Sequence, residues 1–152
     1  MTQGSLRCVV DASVAIKLFV VDPLSDKVDA LFAHLTADPE CRFYVPDLFY
    51  IECTNILWKY VRQSPYSAAK AEIDLARLYA LSLQRTSTAD LMTDALKIGL
   101  TYGISAYDAC YVALSQRLTV PMVTADKKLV RKLTTSPQLV YDLEDFTIPE
   151  VP

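Results

Sequence analysis

Four acidic residues lie beside or inside the most apolar segments of the chain, where carboxylates are least expected: Asp11, Glu52, Asp108 and Asp126. A carboxylate drawn toward a protein core is costly unless it is hydrogen-bonded, paired or bound to a metal. Carboxylate oxygens suit a hard divalent cation such as Mg²⁺ or Mn²⁺ better than zinc. An α/β fold that gathers the four acids at one end of a sheet would therefore create a site for such a cation.

Each acid also has an ordinary structural explanation, and the sequence leaves both explanations open. Asp11, Asp108 and Asp126 all lie where a helix is predicted to begin, and aspartate is favoured at helix N-termini. The segment Ser105-Ala-Tyr-Asp108 matches the start of a capping box. Glu52 interrupts an apolar helical stripe, and its carboxylate could reach water at the margin of that stripe. The functional interpretation is favoured because four ordinary explanations would have to hold together.

Two hydroxyl residues stand two positions from these acids, Ser13 after Asp11 and Thr124 before Asp126. A hydroxyl at this distance could fix a carboxylate by a hydrogen bond. Ser13 could instead cap the first helix, which would leave Asp11 free to face the carboxyl end of its strand. Ligands of open α/β sheets bind at that edge.

Composition and missing motifs disfavour several other classes of protein. Hydrophobic residues make up 52% of the chain and charged residues 22%, which is typical of a folded soluble protein. The net charge of −3 counts against an autonomous nucleic-acid-binding protein. A single histidine, three glycines and the lack of a C-x-x-C pair disfavour a histidine base, a phosphate-binding glycine loop and a zinc site.

The cysteines and the N-terminal apolar stretch indicate the cellular compartment of the protein. Three of the four cysteines lie in apolar runs, where a thiol behaves as a small hydrophobic group. The apolar stretch 8–21 is interrupted by Asp11 and Lys17, which disfavours a signal sequence and a membrane span. We therefore expect a cytoplasmic protein with reduced thiols and no membrane association.

The elements that must position the acids alternate between strands and helices. Short β-branched runs predict strands at 6–10, 42–45, 120–124 and 139–141. Helical spacing predicts helices at 12–20, 47–63, 67–83, 87–102, 105–118 and 127–133, and another that Ser25 or Asp26 would cap. Gly103 is expected to end one helix, and Ser87 to begin another in a capping box. The pattern indicates one α/β domain, with a central, mainly parallel sheet wrapped by helices.

Four segments resemble the PIN domain in their order and rough spacing. They are Val9-Val-Asp11-Ala-Ser13-Val, Pro46-Asp-Leu…Glu52, Gly103-Ile-Ser-Ala-Tyr-Asp108-Ala-Cys-Tyr-Val-Ala-Leu and Val123-Thr-Ala-Asp126-Lys-Lys-Leu. The resemblance extends over nearly the whole chain and is greatest to the VapC toxins of prokaryotic toxin–antitoxin pairs. It implies a single PIN-like domain over 1–152, a three-layer α/β/α sandwich with a core at about 6–143 and a C-terminal tail at 144–152.

The same resemblance implies a metal-dependent endoribonuclease that is the toxin of a VapBC-type pair. Asp11, Glu52, Asp108 and Asp126 would be its catalytic residues and the ligands of Mg²⁺ or Mn²⁺. The implied partners are an RNA substrate, a cognate antitoxin whose C-terminal segment enters the active-site groove, and a second copy in a homodimer.

Further residues are assigned around these acids. Ser13 and Thr124 are expected to orient carboxylates or touch the scissile phosphate. In the basic run after Asp126, Lys127, Lys128 and Arg131 could contact backbone phosphates or form an ordinary solvated helix face. Core packing is expected for Tyr107 and Tyr111, with base stacking as the alternative. The remaining acids, among them Asp74 and Asp142, are predicted to lie in loops or at the surface.

Two functions of other classes remain open. A metal-dependent phosphatase or phosphotransferase would use Asp11 as its nucleophile. That chemistry commonly requires a second carboxylate two residues later, where this chain has Ser13. A non-catalytic binding module would use the acids only as helix caps.

Overall fold

A five-stranded sheet runs through the centre of the computed structural model, which describes residues 4–152. The strands are β1 (Arg7–Val10), β2 (Arg42–Pro46), β3 (Gln84–Thr86), β4 (Met122–Thr124) and β5 (Val140–Asp142). Their order is β3-β2-β1-β4-β5, and each neighbouring pair is parallel. Parallel neighbours require crossover connections, and helices provide them here.

Seven α-helices connect the strands within the described residues. They are α1 (Ala12–Ala15), α2 (Ser25–Ala37), α3 (Leu48–Gln63), α4 (Ala68–Ala80), α5 (Thr88–Tyr102), α6 (Ala106–Leu118) and α7 (Lys127–Lys132). A 3-10 turn, Ile16–Leu18, continues α1. The predicted parallel sheet wrapped by helices is confirmed. No helix within residues 4–152 combines the length and the apolar character needed to cross a membrane.

The core lies where α6 packs against the central strands β1, β2 and β4. Cys8, Val9 and Val10 of β1 have no exposed surface, and α6 is buried at every position from Ala109 to Ser115. A parallel sheet that is covered on both faces needs continuous apolar strands, which explains the short apolar runs of the sequence. All four cysteines are free thiols and buried.

The edge strand β3 was missed by the sequence pattern. The helix predicted at 67–83 ends at Ala80, so the prediction is wrong in its last three residues. Gln84–Thr86 then pairs in parallel with β2 at the edge of the sheet. A polar strand of three residues shows neither an apolar alternation nor a β-branched run, which are the features that predict strands.

The start of α2 also differs from the prediction. The residue before this helix is Leu24, and neither Ser25 nor Asp26 caps it. The Ser25 hydroxyl instead donates to the Val20 carbonyl at 3.1 Å. The Asp22 carboxylate accepts from the Leu24 amide at 2.9 Å, so a local turn closes the chain before the helix.

Two acids that were predicted at the surface are buried. Asp74 on α4 accepts hydrogen bonds from the Tyr66 hydroxyl and the Lys70 ammonium group. Asp142 at the end of β5 lies 3.5 Å from the Lys127 ammonium group. In both cases a nearby lysine offsets part of the cost of removing the carboxylate from water. These partners depend on tertiary packing, so the local sequence pattern did not reveal them.

Part of the C-terminal tail packs against the domain. Phe146 is buried, and Ile148 packs against the core at partial exposure. The Nε2 atom of His34, the single histidine, lies at hydrogen-bonding distance, 2.8 Å, from the Pro149 carbonyl oxygen. The tail therefore covers one side of α2.

Gly103, predicted as a helix stop, ends α5 in the left-handed conformation, with φ 67° and ψ 38°. A residue with a Cβ in this conformation costs roughly 1–2 kcal/mol. We expect Gly103→Ala to lower the free energy of unfolding by about 1 kcal/mol in urea denaturation. Gly4→Ala is the control, because Gly4 has no positive φ and open space around its Cβ position. Equal losses in the two variants would contradict the interpretation.

Candidate active site

Asp11 directly follows β1 and occupies the N-cap position of α1, yet its side chain makes no capping hydrogen bond. The hydroxyls of Ser13 and Thr124 instead donate to its Oδ2 atom at 2.8 and 2.7 Å. Asp11 is only 7% exposed, so the two hydroxyls orient a buried carboxylate. The helix-cap explanation does not apply to this residue.

The two hydroxyls also connect Asp11 to the end of β4. Ser13 accepts from the Ala125 amide at 3.0 Å, and Thr124 accepts from the Asp126 amide at 3.1 Å. Ser13 is therefore not a helix cap. The sequence pattern had paired Thr124 with its neighbour Asp126, whereas the structure shows its hydroxyl donating across the sheet to Asp11.

Asp126 caps a helix as well as lying beside the carboxyl edge of the sheet. Its Oδ1 atom accepts from the amides of Lys128 and Leu129 at 3.0 and 3.2 Å, which caps α7. Both capping bonds involve Oδ1, so Oδ2 lies outside the cap. The cap explanation is correct for Asp126, and it uses one of its two carboxylate oxygens.

Asp108 lies in the first turn of α6, where Ser105 is the N-cap. The Ser105 hydroxyl accepts from the Asp108 amide at 3.1 Å, as the capping-box pattern predicted. This bond uses the amide of Asp108 and leaves its half-buried carboxylate for other contacts.

Glu52 lies half-buried on α3. Its Oε1 atom accepts a hydrogen bond of 2.6 Å from the hydroxyl of Tyr111 on α6. Tyr111 is fully buried, as predicted, whereas Tyr107 on the same helix is 67% exposed, so the prediction of core packing for Tyr107 is wrong. The helical spacing of α6 did not reveal the hydrogen bond between Tyr111 and Glu52, because Glu52 belongs to another helix.

A reciprocal cap fixes where α3 begins. The Asp47 carboxylate accepts from the amide and the hydroxyl of Thr88 at 2.8 and 2.5 Å. The Thr88 hydroxyl in turn accepts from the Leu48 amide at 3.0 Å. Ser87, the predicted cap of α5, makes no side-chain cap, because Asp47 at the end of β2 supplies the acceptor. One pair of side chains therefore sets the start of both α3 and α5.

The carboxylates affect one another electrostatically. Burial raises the pKa of Glu52 to about 7, and the charges of Asp11 and Asp108 add to this increase. Burial likewise raises the pKa of Asp108, with further increases from Asp11 and Asp126. Burial raises the pKa of Asp11 as well, although its hydroxyl partners oppose the increase. A bound cation would relieve this repulsion.

The donor set fits a hard divalent cation. The four side chains supply carboxylate oxygens, and the histidine of the chain contacts the C-terminal tail instead. Within residues 4–152, no three candidate ligands lie close enough together to form an assembled metal centre. The acids nevertheless interact through their charges, since Asp11 and Asp108 raise the pKa of Glu52, and Asp11 and Asp126 raise that of Asp108.

The lysines that were predicted to contact phosphates differ in their surroundings. The Lys127 ammonium group lies 2.5 Å from Glu144 and 3.5 Å from Asp142, so acidic partners already surround it. Lys128 is exposed on the first turn of α7.

Lys132, later in the same basic run, interacts electrostatically with one of the acids, Asp108. Its ammonium group donates to the Gly103 carbonyl at 3.1 Å, which links the end of α7 to the turn before α6. Burial raises the pKa of Asp108, and the positive charge of Lys132 opposes that increase. No pattern in the sequence distinguished Lys132 from its neighbours.

Comparison with known proteins identifies the family. The PIN domain family model matches residues 8–133. The chain belongs to the PIN domain family. Across 129 residues this PIN domain is 29% identical to Ribonuclease VapC3 of Pyrobaculum aerophilum, covering 84% of this chain and 95% of that protein. The predicted resemblance is confirmed.

Two solved structures share the fold. PAE2754 from Pyrobaculum aerophilum superposes with a TM-score of 0.69 and 23% identity, over 93% of both chains. A toxin–antitoxin complex from Klebsiella pneumoniae contains a chain with a TM-score of 0.62 and 14% identity, over 90% of this PIN domain and 97% of that chain. The three-layer α/β/α architecture is therefore that of known PIN domains.

The raised pKa of Glu52 predicts a pH-dependent stability for the metal-free protein. Between pH 4.5, the ordinary pKa of this group, and pH about 7, the unfolded chain loses the Glu52 proton while the folded protein keeps it. The unfolded state then binds fewer protons, so the free energy of unfolding falls as the pH rises through this range. Glu52→Gln removes the titrating group and should reduce the fall, as measured by urea denaturation in EDTA.

Glu72→Gln provides the control for this experiment, because Glu72 is exposed on α4. Its pH profile should match that of the wild type. If the free energy of unfolding of Glu52→Gln fell with pH as steeply as that of the wild type, Glu52 would not titrate in this range.

Proposed function

We propose that this PIN domain is a metal-dependent endoribonuclease and the toxin of a VapBC-type toxin–antitoxin pair. The observation that carries the proposal is the set of four carboxylates on a PIN fold, three of which have pKa values raised by burial and by one another. The similarity to Ribonuclease VapC3 supports RNA as the substrate. No structural feature favours the phosphatase, because Ser13 occupies the position of its second carboxylate and hydrogen-bonds to Asp11.

Asp11, Glu52, Asp108 and Asp126 would hold Mg²⁺ or Mn²⁺. Such a cation, when bound, lowers the pKa of water and offsets the negative charge that develops on a phosphoryl group under attack. The absence of histidine and cysteine donors from the proposed ligand set supports magnesium or manganese over zinc.

The protein contributes orientation and proton transfer. Ser13 and Thr124 orient the Asp11 carboxylate by donating to a single oxygen, which leaves the other oxygen outside this pair of bonds. Glu52 binds the cation or positions the attacking water. A carboxyl group with a pKa of about 7 can exchange a proton at neutral pH, which is the property that a general base needs.

Positive side chains on α7 would contact the RNA backbone. Lys128 and Arg131 are exposed, and they lie two and five positions after Asp126 in the chain. Lys127 is assigned the same role, and its salt bridge to Glu144 would have to open for it to reach a phosphate. Such contacts position RNA without reading its sequence.

Two protein partners complete the proposal. A cognate antitoxin would inhibit the enzyme by placing its C-terminal segment in the active-site groove, and the likeness to a toxin–antitoxin complex supports this partner.

A second copy of the chain would form a homodimer. Its support is an apolar stripe on α5, where Met92, Leu96 and Leu100 are 61%, 59% and 77% exposed at four-residue intervals. Exposed stripes of this kind mark interaction surfaces, and a two-fold axis would pair the stripe with itself.

The first prediction of this proposal concerns Asp11 and the cation. Purified wild type should cleave total cellular RNA with Mg²⁺ or Mn²⁺ and not with EDTA, and either cation should raise its melting temperature. Asp11→Asn should abolish cleavage and reduce the thermal shift, because it removes a negative charge from the site. Asp29→Asn, at an exposed position of α2, should behave as the wild type.

The outcomes separate the candidate functions. Undiminished cleavage by Asp11→Asn, with contaminating nucleases excluded, would contradict the assignment of this site. A wild type that cleaves no RNA and shows no cation-dependent thermal shift would favour the non-catalytic binding module. Trapping of a beryllofluoride adduct at Asp11 would favour the phosphotransferase.

The second prediction concerns the α5 stripe. Leu96→Glu should convert the homodimer to a monomer, because a buried unpaired carboxylate in each half of the interface is costly. Light scattering coupled to size-exclusion chromatography measures the mass. Thr101→Glu places the same charge on an exposed position around the helix from Leu96 and should leave the dimer intact. A monomeric wild type, or a Leu96→Glu protein that remains dimeric, would contradict this interface.

A further inference from the structure

The contact between Tyr111 and Glu52 connects the hydrophobic core to the proposed active site. Tyr111 has no exposed surface and lies in the buried part of α6, where every residue from Ala109 to Ser115 is buried. Its hydroxyl is 2.6 Å from Oε1 of Glu52 on α3. A phenylalanine would fill the same core volume, so packing alone does not explain the hydroxyl.

A second tyrosine, partly buried on α3, provides a comparison for the hydroxyl of Tyr111. The hydroxyl of Tyr50, two residues before Glu52 on α3, is buried and has no hydrogen-bond partner among the described residues. The hydroxyl of Tyr111, in contrast, meets a carboxylate on a neighbouring helix. Tyr111 therefore has a hydrogen-bonded hydroxyl and Tyr50 an unpaired one, so the two tyrosines can be compared.

The identity of the donor matters for the charge of the site. Within residues 4–152, Glu52 and Asp11 make no salt bridge with lysine or arginine, and hydroxyl groups donate to both. A neutral donor fixes the direction of a carboxylate without cancelling its charge. The Glu52 carboxyl group is thus oriented through Oε1, and within residues 4–152 no lysine or arginine competes with a cation for it.

We infer that Tyr111 is a positioning residue that holds Glu52 in the orientation required for cation binding and RNA cleavage. The inference rests on the proposed function and assigns no contact between Tyr111 and the substrate. Glutamate has three rotatable side-chain bonds, and a hydrogen bond from a rigid, buried ring restricts all of them. Loss of the hydroxyl would leave Glu52 on its helix and release its carboxylate.

The experiment compares Tyr111→Phe with Tyr50→Phe, which removes a buried hydroxyl that has no partner. Mn²⁺ binding is measured by electron paramagnetic resonance without RNA, and RNA cleavage is measured as kcat and KM. Tyr111→Phe should weaken Mn²⁺ binding or lower kcat by about tenfold or more, the effect typical of groups that orient metal ligands. Its KM for RNA should stay near that of the wild type. Tyr50→Phe should match the wild type in Mn²⁺ affinity, kcat and KM.

A second pair of variants separates positioning from packing. In a Glu52→Gln background, the further change Tyr111→Phe should have little additional effect on Mn²⁺ affinity, because its target carboxylate is gone. An undiminished additional loss would show that Tyr111 acts through general packing and would overturn the inference. Equal behaviour of Tyr111→Phe and Tyr50→Phe in both Mn²⁺ affinity and kcat would also overturn it.

Failure of the proposed function has a different signature. A wild type that binds Mn²⁺ and leaves RNA intact would contradict the ribonuclease, and Mn²⁺ affinity alone would then decide the role of Tyr111. A wild type that binds no Mn²⁺ would overturn both proposals.

Discussion

Repulsion among like charges at one edge of the sheet is the constraint that the architecture of this PIN domain accommodates. The parallel order β2-β1-β4 brings the carboxyl ends of distant chain segments to one edge of the sheet. Asp11 directly follows β1, Asp126 lies two residues after the end of β4, and Glu52 and Asp108 lie on α3 and α6. Burial raises the pKa of Asp11, Glu52 and Asp108, so the fold stores an electrostatic cost at this edge. The hydrophobic core formed by α6 and the central strands supplies the stability that offsets this cost.

Helix capping and site formation are compatible in this protein. Asp126 caps α7 through one oxygen, and Ser105 caps α6 through the amide of Asp108 rather than its carboxylate. The sequence analysis treated a cap and a site as competing explanations. The structure shows that the cap of α7 uses only one of the two oxygens of Asp126, and that Ser105 supplies the cap of α6. The presence of a cap is therefore weak grounds for dismissing a functional aspartate.

Local sequence patterns predicted those strands and helix ends that form because of the residues within them. The apolar runs of β1 and β4 were visible in the sequence, because both faces of these strands are covered. Gly103 was predicted to end a helix because glycine readily adopts the left-handed conformation that such an end requires. The PIN resemblance then placed the four acids in one family pattern, a step that spacing alone did not provide.

The features that were missed depend on contacts between distant segments. The polar strand β3 forms because β2 offers it an edge, and the carboxylate of Asp74 is buried because Tyr66 and Lys70 enclose it. The hydroxyl of Thr124 reaches Asp11 across 113 positions of sequence. The reciprocal cap of Asp47 and Thr88 is of the same kind and has an evolutionary consequence. Because one pair starts two helices, relatives that lose either partner should change both together, and chimaeras that exchange α5 alone should misplace α3.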